Sequence, residues 1–149
     1  MSATSRELFG LTLLNNRHKD IRALRREHGY PTHHGNKVWR SSLLMMDYLQ
    51  EFPIPKKARV LEVGCGWAVA SLYCAKHFKA QVTGLDLDAS VLPFAEHHAK
   101  VNGVTINTVC QSYEKVTAKM LGEFDVLIGA DICFWDELSG KLYNLVRRA

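Results

Sequence analysis

Gly64, Cys65 and Gly66 make a Gly-x-Gly turn directly after an apolar run, residues 60–63, that carries one acid, Glu62. Asp86 ends the next apolar run, 20 residues after Gly66. Glycines let backbone pass close beneath a ligand where a side chain would collide. A carboxylate about 20 residues further on, at the end of the following strand, is placed to accept both hydroxyls of a ribose. The pattern predicts a site for a ribose-bearing ligand. Its neighbour in chemistry is the stretch 124–136, an apolar strand that empties into an acidic, aromatic loop holding Asp131, Phe134, Trp135 and Asp136. Asp131 stands where a carboxylate can accept hydrogen bonds from a ligand. The plainer alternative is a capping acid followed by two aromatics that close the core.

These groups meet only if particular elements bring them together. A strand at 60–63, a helix over about 68–78 and a second strand at 81–85 form a right-handed βαβ unit, whose ligands sit beyond the carboxyl ends of the strands. A further helix over 89–102 is capped by Asp88 and closed by Asn102-Gly103, a pair suited to left-handed backbone. Pro93 is tolerated because it falls near the first turn. Strands at 104–110 and 124–130 follow, with a short helix or loop at 114–121 between them and a last helix from 137. Ahead of this core, 1–28 reads as helical from Leu8, Leu11, Leu14, Ile21 and Leu24. Gly29-Tyr30-Pro31 breaks that run, and 39–52 is a second helix ended by Pro53 and Pro55. The fold expected is α/β, a Rossmann-like doubly wound and mostly parallel sheet of strand order 3-2-1-4. It divides into a helical N-terminal extension or cap, 1–57, and a core, 58–149. The chain stops within the fourth crossover helix, which predicts a fragment of a longer protein or a partner over the exposed fourth strand, such as a second copy.

Composition narrows the classes. In 149 residues, 47% are hydrophobic and 23% charged, ordinary values for one globular domain. No apolar run approaches the roughly 20 residues of a membrane span, and no signal peptide opens the chain. Cys65, Cys74, Cys110 and Cys133 are scattered, which fits reduced thiols in a cytoplasmic protein. The His33-His34 and His97-His98 pairs lack ligand spacing, so no metal site is expected. The net charge of +4 is uneven, with ten Lys/Arg against five Asp/Glu in residues 1–57 and nine against ten in 58–149. The basic residues gather at Arg17, Lys19, Arg22, Arg25 and Arg26 without interleaved aromatics, a solvated face or protein-facing rim rather than a nucleic-acid footprint.

The run Glu62, Gly64, Gly66, Ala68 resembles motif I of the class I, seven-β-strand S-adenosylmethionine-dependent methyltransferases, with alanine at the usual third glycine. The wider order HGNKVWRSSLLMMDYL, VLEVGCG, GLDLDASVLPFAEHHAKVNG and FDVLIGADICFWDE resembles the branch that contains protein-lysine methyltransferases, including those acting on the electron-transfer flavoprotein β subunit, and bacterial relatives of unassigned substrate. The resemblance covers residues from about 35 to the end. It implies S-adenosyl-L-methionine as cofactor, a methyl acceptor such as a protein lysine, and a cytoplasmic transferase. It places Trp39 against the cofactor, Gly64, Cys65 and Gly66 beneath its methionine and ribose, Asp86 on the ribose and Leu87 beside the adenine. Glu62 answers its cationic charge, Gln111 and Ser112 stand at the adenine edge, and Ala130 supplies backbone. Asp131 and Asp136 then orient or deprotonate an amine, and Phe134 and Trp135 wall the transfer channel. The family's D-x-x-Y signature reads Asp131-Ile132-Cys133-Phe134 here, without the tyrosine hydroxyl.

Two other classes fit parts of the pattern. A nicotinamide-dinucleotide oxidoreductase shares the βαβ unit and Asp86, but it wants a third glycine where this chain has the β-branched Val69. A truncated, non-catalytic module that binds cofactor or dimerises through its fourth strand fits the short length.

Overall fold

The computed structural model describes residues 4–31, 35–133 and 136–149. Four parallel strands form its centre: β3 (Arg59–Val63), β4 (Gln81–Asp86), β5 (Asn107–Cys110) and β6 (Val126–Gly129), in spatial order β5-β4-β3-β6. That is the expected 3-2-1-4 order of a doubly wound sheet. Helices α3 (Val69–Phe78) and α4 (Leu92–Val101) connect β3 to β4 and β4 to β5. The short α5 (Ala118–Leu121) precedes β6, and α6 (Asp136–Arg148) follows it.

Strand parity sorts the apolar side chains, because successive residues point to opposite faces of a sheet. Val60, Val82 and Ile128 join the larger cluster with Leu72 and Cys74 of α3 and Phe94 of α4. Leu61, Val63 and Leu85 face the other way, onto Leu121 of α5 and Leu145 of α6. Both faces are covered, as a parallel sheet requires. At its entry, Asp125 binds the Arg59 guanidinium with Nη2–Oδ1 2.6 Å and accepts the Arg59 backbone N–H at 2.8 Å. Those bonds hold the Asp125 carboxyl down to about 2 and pin the start of β6 to the start of β3. The other side of β6 is unpaired among the described residues.

The N-terminal region corrects the expectation. Residues 4–28 are not the helical run expected of 1–28. They contain an antiparallel hairpin, β1 (Ser5–Leu8) with β2 (Leu11–Leu14), and only then α1 (Lys19–His28). Phe9 and Gly10 form its two-residue loop with φ of 52° and 72°, the positive values that tight hairpin connections favour. Leu11, Leu13 and Leu14 are buried in the larger cluster together with Met46 and Leu49 of α2 (Arg40–Glu51). Residues 1–57 and the sheet thus share one apolar cluster.

Side chains of α4 and of its C-cap, Asn102, satisfy the backbone of β2. Asn102 accepts from Thr12 N at 2.8 Å and donates to Thr12 O at 3.0 Å. His98 Nε2 accepts from Leu14 N at 3.1 Å, while Nδ1 lies 2.8 Å from the carbonyl of Phe94 and donates to it. His77 reaches the Phe9 carbonyl at 2.8 Å, and His97 reaches Asp20 of α1 at 3.1 Å. Both His98 nitrogens are matched only in the neutral ring, and burial lowers its pKa below the usual 6.5. A group depressed in this way stabilises the fold fully above its unfolded pKa, and the contribution is lost as pH falls toward the folded value. The melting temperature is therefore expected to fall more between about pH 7 and about pH 5 in the wild-type chain than in His98→Gln, whose amide does not titrate. Parallel curves would take His98 out of the acid response.

Candidate active site

The turn between β3 and α3 is built from left-handed backbone, with φ of 64° at Gly64, 52° at Gly66 and 55° at Ala68. Its peptide groups are stitched to the end of β4. Cys65 N donates to Leu85 O at 3.0 Å, and Gly66 N donates to Asp86 Oδ2 at 2.8 Å. The other oxygen of Asp86 accepts from Asp88 N at 3.0 Å. A Cβ on Gly66 would project into open space, whereas one on Gly64 would overlap Cγ2 of Ile132 in the loop after β6. The turn thus faces a cleft on one side and receives the β6 loop on the other.

Glu62 lies beneath this turn, buried. Its Oε2 accepts from Ser71 N at 3.1 Å and from Ser71 Oγ at 2.5 Å, in the first turn of α3. Burial, partly opposed by those bonds, raises its carboxyl to about 7. Burial also raises Asp86, against the N–H groups of Asp88 and Gly66. The Cys65 thiol is pushed well up by burial and by Glu62 and Asp86, which makes it a poor nucleophile.

A cleft of about 210 Å³ opens at the carboxyl ends of the strands. Gly64, Cys65, Gly66 and Glu62 form its floor, with Asp86 and Leu87 at the end of β4. Gln111 and Ser112 line it after β5, Ala130 and Asp131 after β6, and Trp39 ahead of α2. The structure therefore gathers every residue that sequence reasoning assigned to cofactor contact around one cavity. Asp131 sits there on left-handed backbone, φ 51°, a strained conformation for a residue with a side chain. It also lines a second cavity of about 610 Å³ between the hairpin and α2, which shares Lys37, Val38, Trp39 and Trp67 with the first. Asp136, expected beside Asp131, opens α6 and lines neither cavity; Leu138, two residues on and about 200° around the helix, takes the side that lines the first. Phe134 and Trp135 lie outside the described residues.

Sequence reasoning missed several groups. Ser41 Oγ and Tyr113 Oη are buried without a partner, and both residues line the first cleft. Ser41 stands in the first turn of α2, whose N-cap Trp39 makes no side-chain cap bond and whose first turn holds no acid. A helix that starts uncapped at a tryptophan leaves N–H groups for something else to satisfy. That signal was in the sequence. The segment bearing Lys37 and Trp39 is held by Trp67, which donates from Nε1 to Gly35 O at 2.8 Å and stacks on Phe94 and His98. Among the described residues, no three His, Cys, Asp or Glu side chains converge to hold a metal, and no helix is long and apolar enough to cross a membrane.

Against known proteins, a family profile described as a methyltransferase domain matches residues 60–149. A ubiquinone biosynthesis O-methyltransferase of Coxiella burnetii is 37% identical over 82 residues, 55% of this chain and 34% of the relative. One from Cronobacter sakazakii is 42% identical over 69 residues, 46% of this chain and 28% of the relative. The chain thus spans about a third of the length of these curated relatives. Among solved structures, TrmN from Thermus thermophilus superposes with a TM-score of 0.62 at 20% identity, covering 72% of this chain and 33% of that one. A SAM-dependent methyltransferase from Agrobacterium tumefaciens gives 0.60 at 17% identity, covering 84% and 38%. At those identities the superpositions establish the fold.

Proposed function

The chain belongs to the methyltransferase-domain family, and from that membership we propose that its first cleft binds S-adenosyl-L-methionine and presents the methyl group to an acceptor beside Asp131. The lining charge carries the proposal. Among the described residues, Asp86, Glu114 and Asp131 line the cleft, with the buried Glu62 at its floor, against one cation, Lys37. An acidic lining suits a sulfonium and an ammonium, and it opposes the pyrophosphate of a nicotinamide dinucleotide. Val69 opens α3 where such a dinucleotide wants glycine.

The residues present fit the cofactor in detail. Asp86 would take the ribose hydroxyls, Leu87 and the Gln111–Ser112 edge the adenine, and the open side of Gly66 the methionine chain. The uncapped start of α2 and the orphaned Ser41 hydroxyl would take the methionine carboxylate. Tyr113 offers a second orphaned hydroxyl at the same edge as Ser112. When bound, the cofactor supplies an electrophilic methyl carbon on a sulfonium sulfur that leaves with the bonding electron pair as a neutral thioether. Asp131 would accept the hydrogen bond of the acceptor's O–H or N–H, orient that group toward the cleft, and take up its proton. Positioning of this kind is worth on the order of 7–11 kcal/mol in favourable cases.

An oxygen acceptor is the better reading than the protein lysine that the sequence resemblance implied. The curated relatives are named as O-methyltransferases, and Phe134 replaces the tyrosine of the lysine-branch signature. The free side of β6 offers backbone groups to a second copy, and the proposed chemistry uses none of them. Calorimetric titration of the chain with S-adenosylhomocysteine and with NADH tests the proposal. Micromolar binding of S-adenosylhomocysteine alone is expected; preference for NADH, or binding of neither, would overturn it.

A further inference from the structure

The second cavity carries a charge opposite to the first. Arg6, Arg17, Lys37 and Arg40 line it, and among the described residues its one acid is Asp131. Among the described residues none of the four cations is in an ion pair. Lys37 Nζ lies 4.3 Å above the Trp39 ring, so that its remaining charge is presented from an aromatic support. All four cations come from the N-terminal third, where the sequence holds its basic excess.

Beneath the cations the cavity is apolar, with Leu13, Leu14 and Trp67 buried and Leu8, Val38 and Leu43 half-buried. These come from the hairpin, from α2 and its approach, and from the turn before α3. The floor would desolvate a compact hydrophobic body, and pockets of this make-up, mostly apolar with a few placed polar groups, are the usual form of small-molecule sites. The cations sit in loop and edge positions around it: Arg6 on β1, Arg17 after β2, Lys37 and Arg40 around the start of α2.

We propose that this cavity is the acceptor site and that its ligand is a small amphiphilic anion, an apolar or aromatic body with a carboxylate or phosphate at the cationic rim and its reacting hydroxyl at Asp131. The inference rests on the methyltransferase reading of the first cleft and extends it to the acceptor's chemistry. A protonated amine is the wrong charge for four unpaired cations, and a neutral body leaves them unanswered. A hydroxylated anion satisfies the rim and keeps the single carboxylate for its hydroxyl. The attraction is exposed and therefore weakens as salt shortens its reach from about 10 Å at 0.1 M toward about 3 Å at 1 M.

The test is calorimetric titration with 2-naphthoate, 2-naphthyl phosphate, 2-naphthalenemethanol and 2-naphthylmethylammonium, each with and without saturating S-adenosylhomocysteine. At low salt at least one of the two anions should bind about tenfold or more tightly than the carbinol, and the ammonium should bind worst. The naphthoate and phosphate arms decide which anion the rim prefers. In the exposed double variant Arg17→Gln/Arg40→Gln, with an unchanged melting temperature, the anion preference should fall to within about threefold of the carbinol, and high salt should do the same to the wild type. Equal affinity for all four probes, tighter binding of the ammonium, a preference that survives the double variant, or no binding of any probe would overturn the anionic acceptor. Failure of the methyltransferase reading is seen separately, as failure of S-adenosylhomocysteine to bind; an anion preference that persists alongside it would leave an anion site without that chemistry.

Discussion

Gly64→Ala is expected to cost the chain at least about 100-fold in S-adenosylhomocysteine affinity, a loss of roughly 2.7 kcal/mol, and to lower its melting temperature. Two penalties coincide at this position. A side chain at φ 64° sits in left-handed backbone, which costs about 1–2 kcal/mol. The added Cβ also overlaps Ile132, so the loop after β6 must move, and Ala130 and Asp131 move with it. Gly103 is the internal control. It has the same φ of 64°, but a Cβ there meets nothing within 4 Å. Gly103→Ala should destabilise by the backbone term alone and leave ligand affinity within about twofold. Calorimetry on both variants, with circular dichroism melts beside it, measures the difference; equal weakening would place the effect in overall stability rather than in the turn.

Asp86→Ala should be as damaging by a different route. Its two oxygens accept from Gly66 N and Asp88 N, so one truncation strips acceptors from the turn and from the approach to α4. A ribose bound there loses its charged partner as well. Hydrogen bonds to charged groups contribute about 1.5–3 kcal/mol each, so two of them predict a loss of roughly 100- to 10,000-fold in affinity. Asp86→Asn keeps one acceptor oxygen and should fall between, at about tenfold. Burial raises the Asp86 carboxyl above its ordinary range. The binding form is the ionised one, so the contribution of Asp86 to affinity, taken as wild type against Asp86→Asn, should decline on the acid side as that raised value is approached. A titration series in S-adenosylhomocysteine across pH checks both statements, and a flat difference between the two proteins would remove the carboxylate from ligand contact.

The parallel core was legible because several local signals agreed at each element. The apolar runs had strand length, Gly64 and Gly66 punctuated the first crossover, and Asp88 stood ahead of Ser90, whose N–H it accepts at 2.9 Å. The hairpin was not legible, because Leu8, Leu11 and Leu14 recur every three residues, which reads as a helical stripe. The competing signal was Gly10 followed by the alternation Leu11-Thr12-Leu13, and it was weakened by Phe9 in a position where Asn, Asp or Gly usually takes a positive φ. The site divides along the same line. Glu62, the glycines and Asp86 lie in one continuous βαβ unit, so spacing alone placed them. Arg6 and Arg17 reach the second cavity only through the docking of a hairpin onto α4, which no spacing records. Asp136 shows the converse, since adjacency to Asp131 in sequence did not bring it to the same cavity.

The stitching of β2 to Asn102 and His98 also has a consequence for the order of events during synthesis. The bonds from Thr12 and Leu14 span 90 and 84 residues. The hairpin is made before α4, whose end supplies the acceptors for its backbone. At about 5–20 residues per second, the Thr12 and Leu14 backbone groups wait on the order of 4–18 s for these partners, although the α2 residues that cover Leu11, Leu13 and Leu14 are made earlier. During synthesis the backbone of β2 is therefore open to chaperones and to misassociation until α4 emerges and takes up its N–H groups.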